Sequence, residues 1–217
     1  MNGANMRRFR KMRMTRMVVG AIATNCYIVS DENTKKAFIV DPGGDADRIK
    51  QKVEELELKV GAILLTHGHF DHVMAVDTLR DCFGAKVYLG EEEKVLIENA
   101  QQNVSAMFGK PMTTTADVFV KDGEILNIAG FDIQVLATPG HTKGGVCYYL
   151  KAQDVAFSGD TIFQCSVGRT DFPGGSQSQL SRSIREKLFV LPDDTQLFPG
   201  HGDSTVVSYE KKYNPFV

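Results

Sequence analysis

Apolar positions along the chain fall into short runs separated by glycine, proline, asparagine and aspartate. From Met17 to Val29 the pattern reads strand, break, strand, with Thr24-Asn25 at the break. Lys36 to Val40 is another short strand, ended by the turn Asp41-Pro42-Gly43-Gly44. Asp45 to Leu58 places Ile49, Val53 and Leu56 at helical spacing, which predicts an amphipathic helix opened by Asp45 or Asp47. Val60 to Leu65 is continuously apolar but for one glycine and reads as a buried strand; Val73 to Arg80 reads as a helix. The strand Lys86 to Leu89 and an acidic-start helix from Glu91 follow, then a weakly periodic stretch from Gln101 to Thr115 that reads as loop or irregular helix.

The second half repeats the alternation with more strands. Val118 to Val120, Glu124 to Ile128 and Phe131 to Ala137 are separated by Lys121-Asp122-Gly123 and Ala129-Gly130. Gly145 to Leu150 and Asp154 to Ser158 predict a hairpin, Ser178 to Phe189 a helix, and Gln196 to Phe198 a last strand. Strands alternating with single helices, in two halves, predict an α/β protein whose sheets are covered by helices on the outside.

The strand ends carry the chemistry. Thr66-His67-Gly68-His69-Phe70-Asp71-His72 follows one predicted strand, and Thr138-Pro139-Gly140-His141, Gly159-Asp160-Thr161 and Pro199-Gly200-His201-Gly202 follow three others. All five histidines of the chain lie in these loops. A single histidine is most often a surface or hydrogen-bonded residue, but five at strand ends point to one centre. Neutral imidazole is the commonest protein ligand for zinc, and carboxylates complete such sites. On an extended loop His67 and His69 project to similar sides and can bind one metal, while Asp71 and His72 face a neighbouring position.

Composition narrows the class further. The 217 residues fit one large domain or two small ones, with 42% apolar and 24% charged residues and a net charge of −2. That balance gives no reason to expect nucleic acid or an anionic membrane as a partner. Cys26, Cys82, Cys147 and Cys165 form no C-x-x-C pair, which suits reduced thiols in a cytoplasmic protein. Arginines and lysines crowd into residues 1–16, which read as a disordered basic extension ahead of a folded domain over 17–217.

The pattern His67-x-His69-x-Asp71-His72, with Gly140-His141-Thr142, Gly159-Asp160-Thr161 and Gly200-His201-Gly202, resembles the metallo-β-lactamase superfamily. The resemblance implies a four-layer αββα sandwich with the metal site at one edge, between the two sheets. It implies that His67, His69 and His141 hold a first divalent metal, that Asp71, His72 and His201 hold a second, and that Asp160 bridges them. Zinc is the default metal, with iron or manganese as alternatives. A water between two such cations loses its proton readily and serves as the nucleophile, with Asp71 as a catalytic residue that orients it. True β-lactamases of the superfamily usually carry cysteine or serine in place of Asp160, so the aspartate argues against that activity.

Gly168-Arg169-Thr170-Asp171-Phe172-Pro173-Gly174-Gly175 and the tail after His201 are similar to the short bacterial hydrolases related to glyoxalase II. That likeness implies a thioesterase acting on S-acylglutathione or a similar small-molecule thioester, with Arg169 either binding the substrate or paired with Asp171. The chain ends too soon after His201 for the C-terminal helical domain that contributes glutathione contacts in the longer family. Two alternatives use the same residues: a persulfide dioxygenase with one iron on His67, His141 and Asp160, and a lactonase. Cys165 reads as a buried, inert thiol; one of Tyr148 and Tyr149 is core, and the other is a candidate to reach the site.

Overall fold

The structure, a computed structural model, describes residues 11–217. The first sheet contains β1 (Met12–Val19), β2 (Thr24–Asp31), β3 (Lys36–Val40), β4 (Lys59–Leu64), β5 (Lys86–Gly90) and β6 (Val118–Val120), adjacent in that order. β1 to β3 pair antiparallel and β3 to β6 parallel. The chain then builds β7 (Ile125–Ile128), β8 (Phe131–Ala137), β9 (Val146–Leu150), β10 (Val155–Gly159), the small ribbon β11 (Ile162–Phe163) and β12 (Ser166–Val167), β13 (Gln196–Pro199) and β14 (Thr205–Val206). The second sheet has the order β14-β13-β10-β9-β8-β7, in which only β10 and β13 are parallel.

Each of the three parallel steps in the first sheet needs a crossover, and each crossover contains helix. α1 (Ala46–Glu55) joins β3 to β4; the short α2 (Phe70–Val73) and α3 (Val76–Phe83) join β4 to β5. Gly84, in the left-handed region at φ 63°, ends α3 and donates to the carbonyl of Arg80. α4 (Lys94–Ile97) follows β5, α5 (Gln177–Ser183) continues as a π-helical turn through Leu188, and α6 (Val207–Tyr213) follows β14.

Strand alternation sorts the apolar residues into three layers of core. Tyr27, Val29, Phe38, Val40 and Leu64 of the first sheet meet Ile133, Val135, Tyr148 and Phe157 of the second. The opposite face of the first sheet, including Ile28, Ile39 and Ile63, packs on Ile49 and Val53 of α1 and on Val76 and Leu79 of α3. The opposite face of the second, including Cys147, Tyr149 and Ala156, packs on Leu180, Ile184 and Leu188. Cys26 to Val29 of β2 and Ala62 to Leu64 of β4 are buried on both faces, which is why these stretches read as apolar runs rather than alternations. A fully buried side chain such as Phe38 contributes about 1.5–3 kcal/mol by leaving water. The result is the four-layer αββα sandwich.

The folded region begins earlier than residue 17. β1 starts at Met12, and Met12 to Arg16 pair with Asp31 to Tyr27. Met12 and Met14 pack on the layer between the sheets, while Arg13 and Arg16 are exposed. Met17 packs on the opposite face of the first sheet, so the methionines serve both faces of this edge strand, and the arginines among them hide it. Charged side chains also suit an edge that must not pair further. Arg7, Arg8 and Arg10 lie outside the described residues. The other differences are local. The first hairpin break falls at Gly20 to Ala23 rather than Thr24-Asn25, and β11, β12, β14 and α6 have too few residues to show a period.

Candidate metal centre

Four strands deliver the centre from their C-terminal ends. His67 follows β4, His141 follows β8, Asp160 follows β10 and His201 follows β13. The two sheets meet at this rim through backbone and side chain. Val146 N donates to the Thr66 carbonyl at 2.8 Å, and the Tyr148 hydroxyl to the Leu65 carbonyl at 2.9 Å. Both groups sit on β9, so the first-sheet loop carrying three histidines is tied to the second sheet beside His141.

Three overlapping trios result: His67, His69 and His141; His67, His72 and Asp160; and Asp71, His72 and His201, with the donor atoms of each trio within 4.8 Å of one another. Asp160 joins the ends of this chain of trios. Its Oδ1 is 3.4 Å from His72 Nε2, and its Oδ2 is 3.6 Å from both His141 Nε2 and His201 Nε2. Asp71 Oδ2 lies 3.2 Å from His201 Nε2 and 3.7 Å from His72 Nε2.

The surrounding hydrogen bonds set the tautomers. Asp41, buried and unrecognised in the sequence beyond its turn motif, accepts from Thr66 N at 2.8 Å, Thr66 Oγ1 at 2.6 Å and His72 Nδ1 at 3.0 Å. With its proton given to Asp41, Thr66 Oγ1 accepts from His67 Nδ1 at 3.1 Å. His141 Nδ1 donates to the Arg169 carbonyl at 2.7 Å. Each of these imidazoles therefore turns an Nε2 lone pair inward, and the second nitrogen is fixed as metal-binding histidines require. His69 Nδ1 and His141 Nε2 stand 2.9 Å apart, aimed at common space.

The residues fit a cation. His67 Nε2, His69 Nε2, His72 Nε2 and Asp160 Oδ1 are buried side-chain atoms with no hydrogen-bond partner, a costly arrangement unless another group binds them. Burial, reinforced by the neighbouring imidazoles, lowers the pKa of His67 well below the usual value and that of His69 to about 3, so both keep their lone pairs. At His72 burial opposes protonation, but Asp160, Asp71 and Asp41 outweigh it and raise the pKa. Burial likewise opposes ionisation of Asp160 and Asp71, yet the facing histidines hold both below the usual carboxylate range. Unprotonated nitrogens of His67 and His69 thus stand beside the ionised carboxylates of Asp71 and Asp160.

Two further devices hold the loops. The buried Glu93 accepts from Gly68 N and from Gly144 N, both at 2.8 Å, tying the His67–His69 loop to the loop after His141. Its burial raises the carboxyl pKa against these hydrogen bonds. Gly168 packs so closely that a Cβ there would lie 1.8 Å from the Asp160 carbonyl oxygen. Glu93 carries no sequence pattern that marks it, and Gly168, though it opens the Gly168–Gly175 stretch, is tied to Asp160 only by the three-dimensional contact.

A cavity of about 390 Å³ opens beside the centre. Ile22, Phe70, Val104, Phe108, Phe163 and Phe172 supply apolar wall, and His69, Asp71, His141, Asp160 and His201 form its polar end. Arg169 reaches the rim, but its guanidinium makes two 2.7 Å bonds to Asp171 and lies 3.7 Å over the Phe172 ring. The pairing with Asp171 is therefore what the structure contains, and the backbone of Arg169 serves His141. Tyr148 and Tyr149 are both core residues. Cys165 is not buried: it is half-exposed in the β11–β12 turn, with Sγ 3.6 Å from the Tyr209 hydroxyl. Among the described residues all four cysteines are free, and no helix is long and apolar enough to cross a membrane.

An αββα sandwich with a His/Asp centre at the sheet edge defines a metallo-hydrolase scaffold. The chain belongs to the metallo-beta-lactamase superfamily, whose family model matches residues 19–201. It is 42% identical over 206 residues to hydroxyacylglutathione hydrolase GloC of Haemophilus influenzae, covering 92% of this chain and 95% of that one. It is 44% identical over 210 residues to a Bacillus subtilis protein named "Probable metallo-hydrolase YqgX", covering 95% and 98%. Among solved structures, the BLEG-1 B3 metallo-beta-lactamase superposes with a TM-score of 0.90 at 40% identity, covering 94% of this chain and 99% of that one. TTHA1623 in a di-iron-bound form gives 0.84 at 33% identity, covering 94% and 100%. ETHE1 from Myxococcus xanthus gives 0.79 at 33%, covering 94% and 83%.

Proposed function

We propose that the protein is a metal-dependent thioester hydrolase of the glyoxalase II type, cleaving S-acylglutathione or a similar small thioester to an acid and a free thiol. The observation that carries this reading is the set of buried, unpartnered donors, His67 Nε2, His69 Nε2, His72 Nε2 and Asp160 Oδ1, of which His69 and Asp160 line a substrate-sized groove. His67, His69 and His141 would hold one divalent ion, Asp71, His72 and His201 a second, and Asp160 faces both sets. Such ions supply Lewis acidity and lower the pKa of coordinated water. Zinc is the metal we assign, since imidazole with carboxylate suits it, although the same donors accept iron or manganese.

The chain's own groups do the rest. Thr66, Asp41 and the Arg169 carbonyl keep three imidazoles in the tautomer that leaves Nε2 free. Asp71 lines the polar end of the groove, and there it would accept a hydrogen bond from the attacking water and orient it. The apolar walls exclude bulk water from the thioester, which strengthens each electrostatic contact at the reacting carbonyl. The likeness to GloC supports the thioester class; that to YqgX supports hydrolysis more broadly.

A second reading has a specific observation behind it. ETHE1 is 33% identical, and His67, His141 and Asp160 alone could hold one iron in a two-histidine, one-carboxylate site, the arrangement of a persulfide dioxygenase. The third trio, with Asp71 and His201, favours the dimetal hydrolase. Metal analysis of the purified chain, with thiol release from S-lactoylglutathione, tests both. Two metals and thiol release are expected; one iron with oxygen uptake on glutathione persulfide would overturn the hydrolase. Because BLEG-1 is named a β-lactamase, a chromogenic cephalosporin belongs in the same panel.

A further inference from the structure

We propose that the groove is an acyl subsite for apolar groups, so that the preferred substrates are thioesters of aromatic or branched-chain acids, and the charges of the thiol carrier go unread. This rests on the thioesterase reading above and deepens it.

Aromatic rings flank the centre on two sides. Phe172 stands edge-on to His69, with centroids 5.6 Å apart, and Phe163 edge-on to His201 at 6.2 Å. Further along the groove, Phe70 and Phe108 stack at 4.7 Å with planes 32° apart. Phe108 is 53% exposed and its neighbour Met107 69% exposed, both on the 3-10 turn Ser105–Phe108. Apolar surface left open beside a reaction centre is regained as binding free energy when an apolar group covers it. Apart from the metal donors, Ser166 and Arg169 are the polar residues that line the groove.

Charge decides the other half. Among the described residues, Arg169 is the one lysine or arginine lining the groove. Its Nε–Nη2 edge is taken by Asp171, and its flat face covers Phe172, so the cation enters the groove wall as one half of an ion pair. A substrate carboxylate approaching this pair meets the charge of Asp171 as well as that of Arg169, and an exposed pair of this kind adds little net attraction. Glutathione's carboxylates thus find no uncompensated lysine or arginine lining the groove, while a phenyl or branched alkyl group finds aromatic wall.

A two-by-two panel on the metal-loaded full chain separates these effects: lactoyl and phenylacetyl thioesters, each on glutathione and on the uncharged thiol N-acetylcysteamine. The expected kcat/KM for phenylacetyl exceeds that for lactoyl by about tenfold or more on both carriers. Phe108→Ala should pull that ratio toward unity, and because the side chain is exposed the variant should fold. Preference for lactoyl, or a ranking set by the carrier, would overturn the inference while leaving the thioesterase reading standing. If no thioester turned over, that reading would fall, and calorimetry would judge the groove alone. Phenylacetate binding clearly tighter than lactate, and weakened by Phe108→Ala, would sustain the subsite; equal binding would end it.

Discussion

Asp41 Oδ2 lies 3.0 Å from His72 Nδ1, with both side chains buried and the same carboxylate gripping Thr66. One acid therefore orients His72 directly and His67 through a hydroxyl. Asp41 itself sits at φ 48°, a left-handed backbone that asparagine adopts as readily. Asp41→Asn should keep the fold and weaken metal binding about 10–100-fold, the usual effect of losing an outer partner of a liganding histidine. Competition with a chromogenic chelator measures it; an unchanged affinity would remove Asp41 from the centre.

His201 contributes only to the third trio. His201→Ala should therefore halve the metal content, while Asp160→Ala, which removes the carboxylate that faces both sets, should abolish hydrolysis. Elemental analysis beside thiol release distinguishes the two. Full activity in the Asp160 variant would refute the bridging assignment.

Much of this centre could be read from the chain because its donors follow strands that are themselves legible. His67 to His72, His141, Asp160 and His201 each stand after an apolar run and beside a glycine or within one cluster, and those are local patterns. Asp41 and Glu93 were not legible as parts of the site. Each acts across the fold, on Thr66 and His72 or on Gly68 and Gly144, and no spacing along the chain encodes such contacts. β1 was missed for a different reason. Its methionines pack on both faces of the sheet with arginines among them, so no period of two shows and the composition looks like a charged tail. The partner of Arg169 was visible two residues away, yet only geometry shows the guanidinium lying on Phe172 as well.

Glu93 predicts a loss that conservative replacement only half repairs. Glu93→Ala leaves the buried Gly68 N–H and the part-buried Gly144 N–H unpaired, at a cost of about 1–3 kcal/mol for the first and less for the second. Glu93→Gln keeps one oxygen acceptor and should recover part of that stability. Thermal melts of the metal-free chain, followed by metal titration, separate stability from site geometry. Equal melting of all three proteins would contradict the tie between the loops.

Gly168→Ala pushes a methyl group against the Asp160 carbonyl, 1.8 Å from where the Cβ would stand. Backbone must move, at a cost of about 1–3 kcal/mol. The displaced residue is Asp160, so metal content should fall along with the melting temperature. A variant with normal metal content would show that the loop yields elsewhere.

Alkaline pH should destabilise the sandwich. Tyr27 and Tyr148 donate to the carbonyls of Pro199 and Leu65, and burial raises both phenol pKa values above the usual 10. A group whose folded pKa is raised lends stability below its unfolded pKa and loses it as pH climbs beyond that value. Denaturant midpoints should fall above about pH 10, and the double phenylalanine variant should fall less steeply. Parallel slopes for the two proteins would argue against these phenols as the cause.

Every one of the three donor trios draws on both sheets, since His141, Asp160 and His201 come from the second and the rest from the first. A cation can therefore be gripped only once the halves of the chain have closed on each other. Its binding free energy is then spent on the seam between the sheets. Metal supply would accordingly govern how long the closed form lasts as well as how fast it turns over, and starvation for metal would shorten the protein's lifetime before any active-site residue had changed.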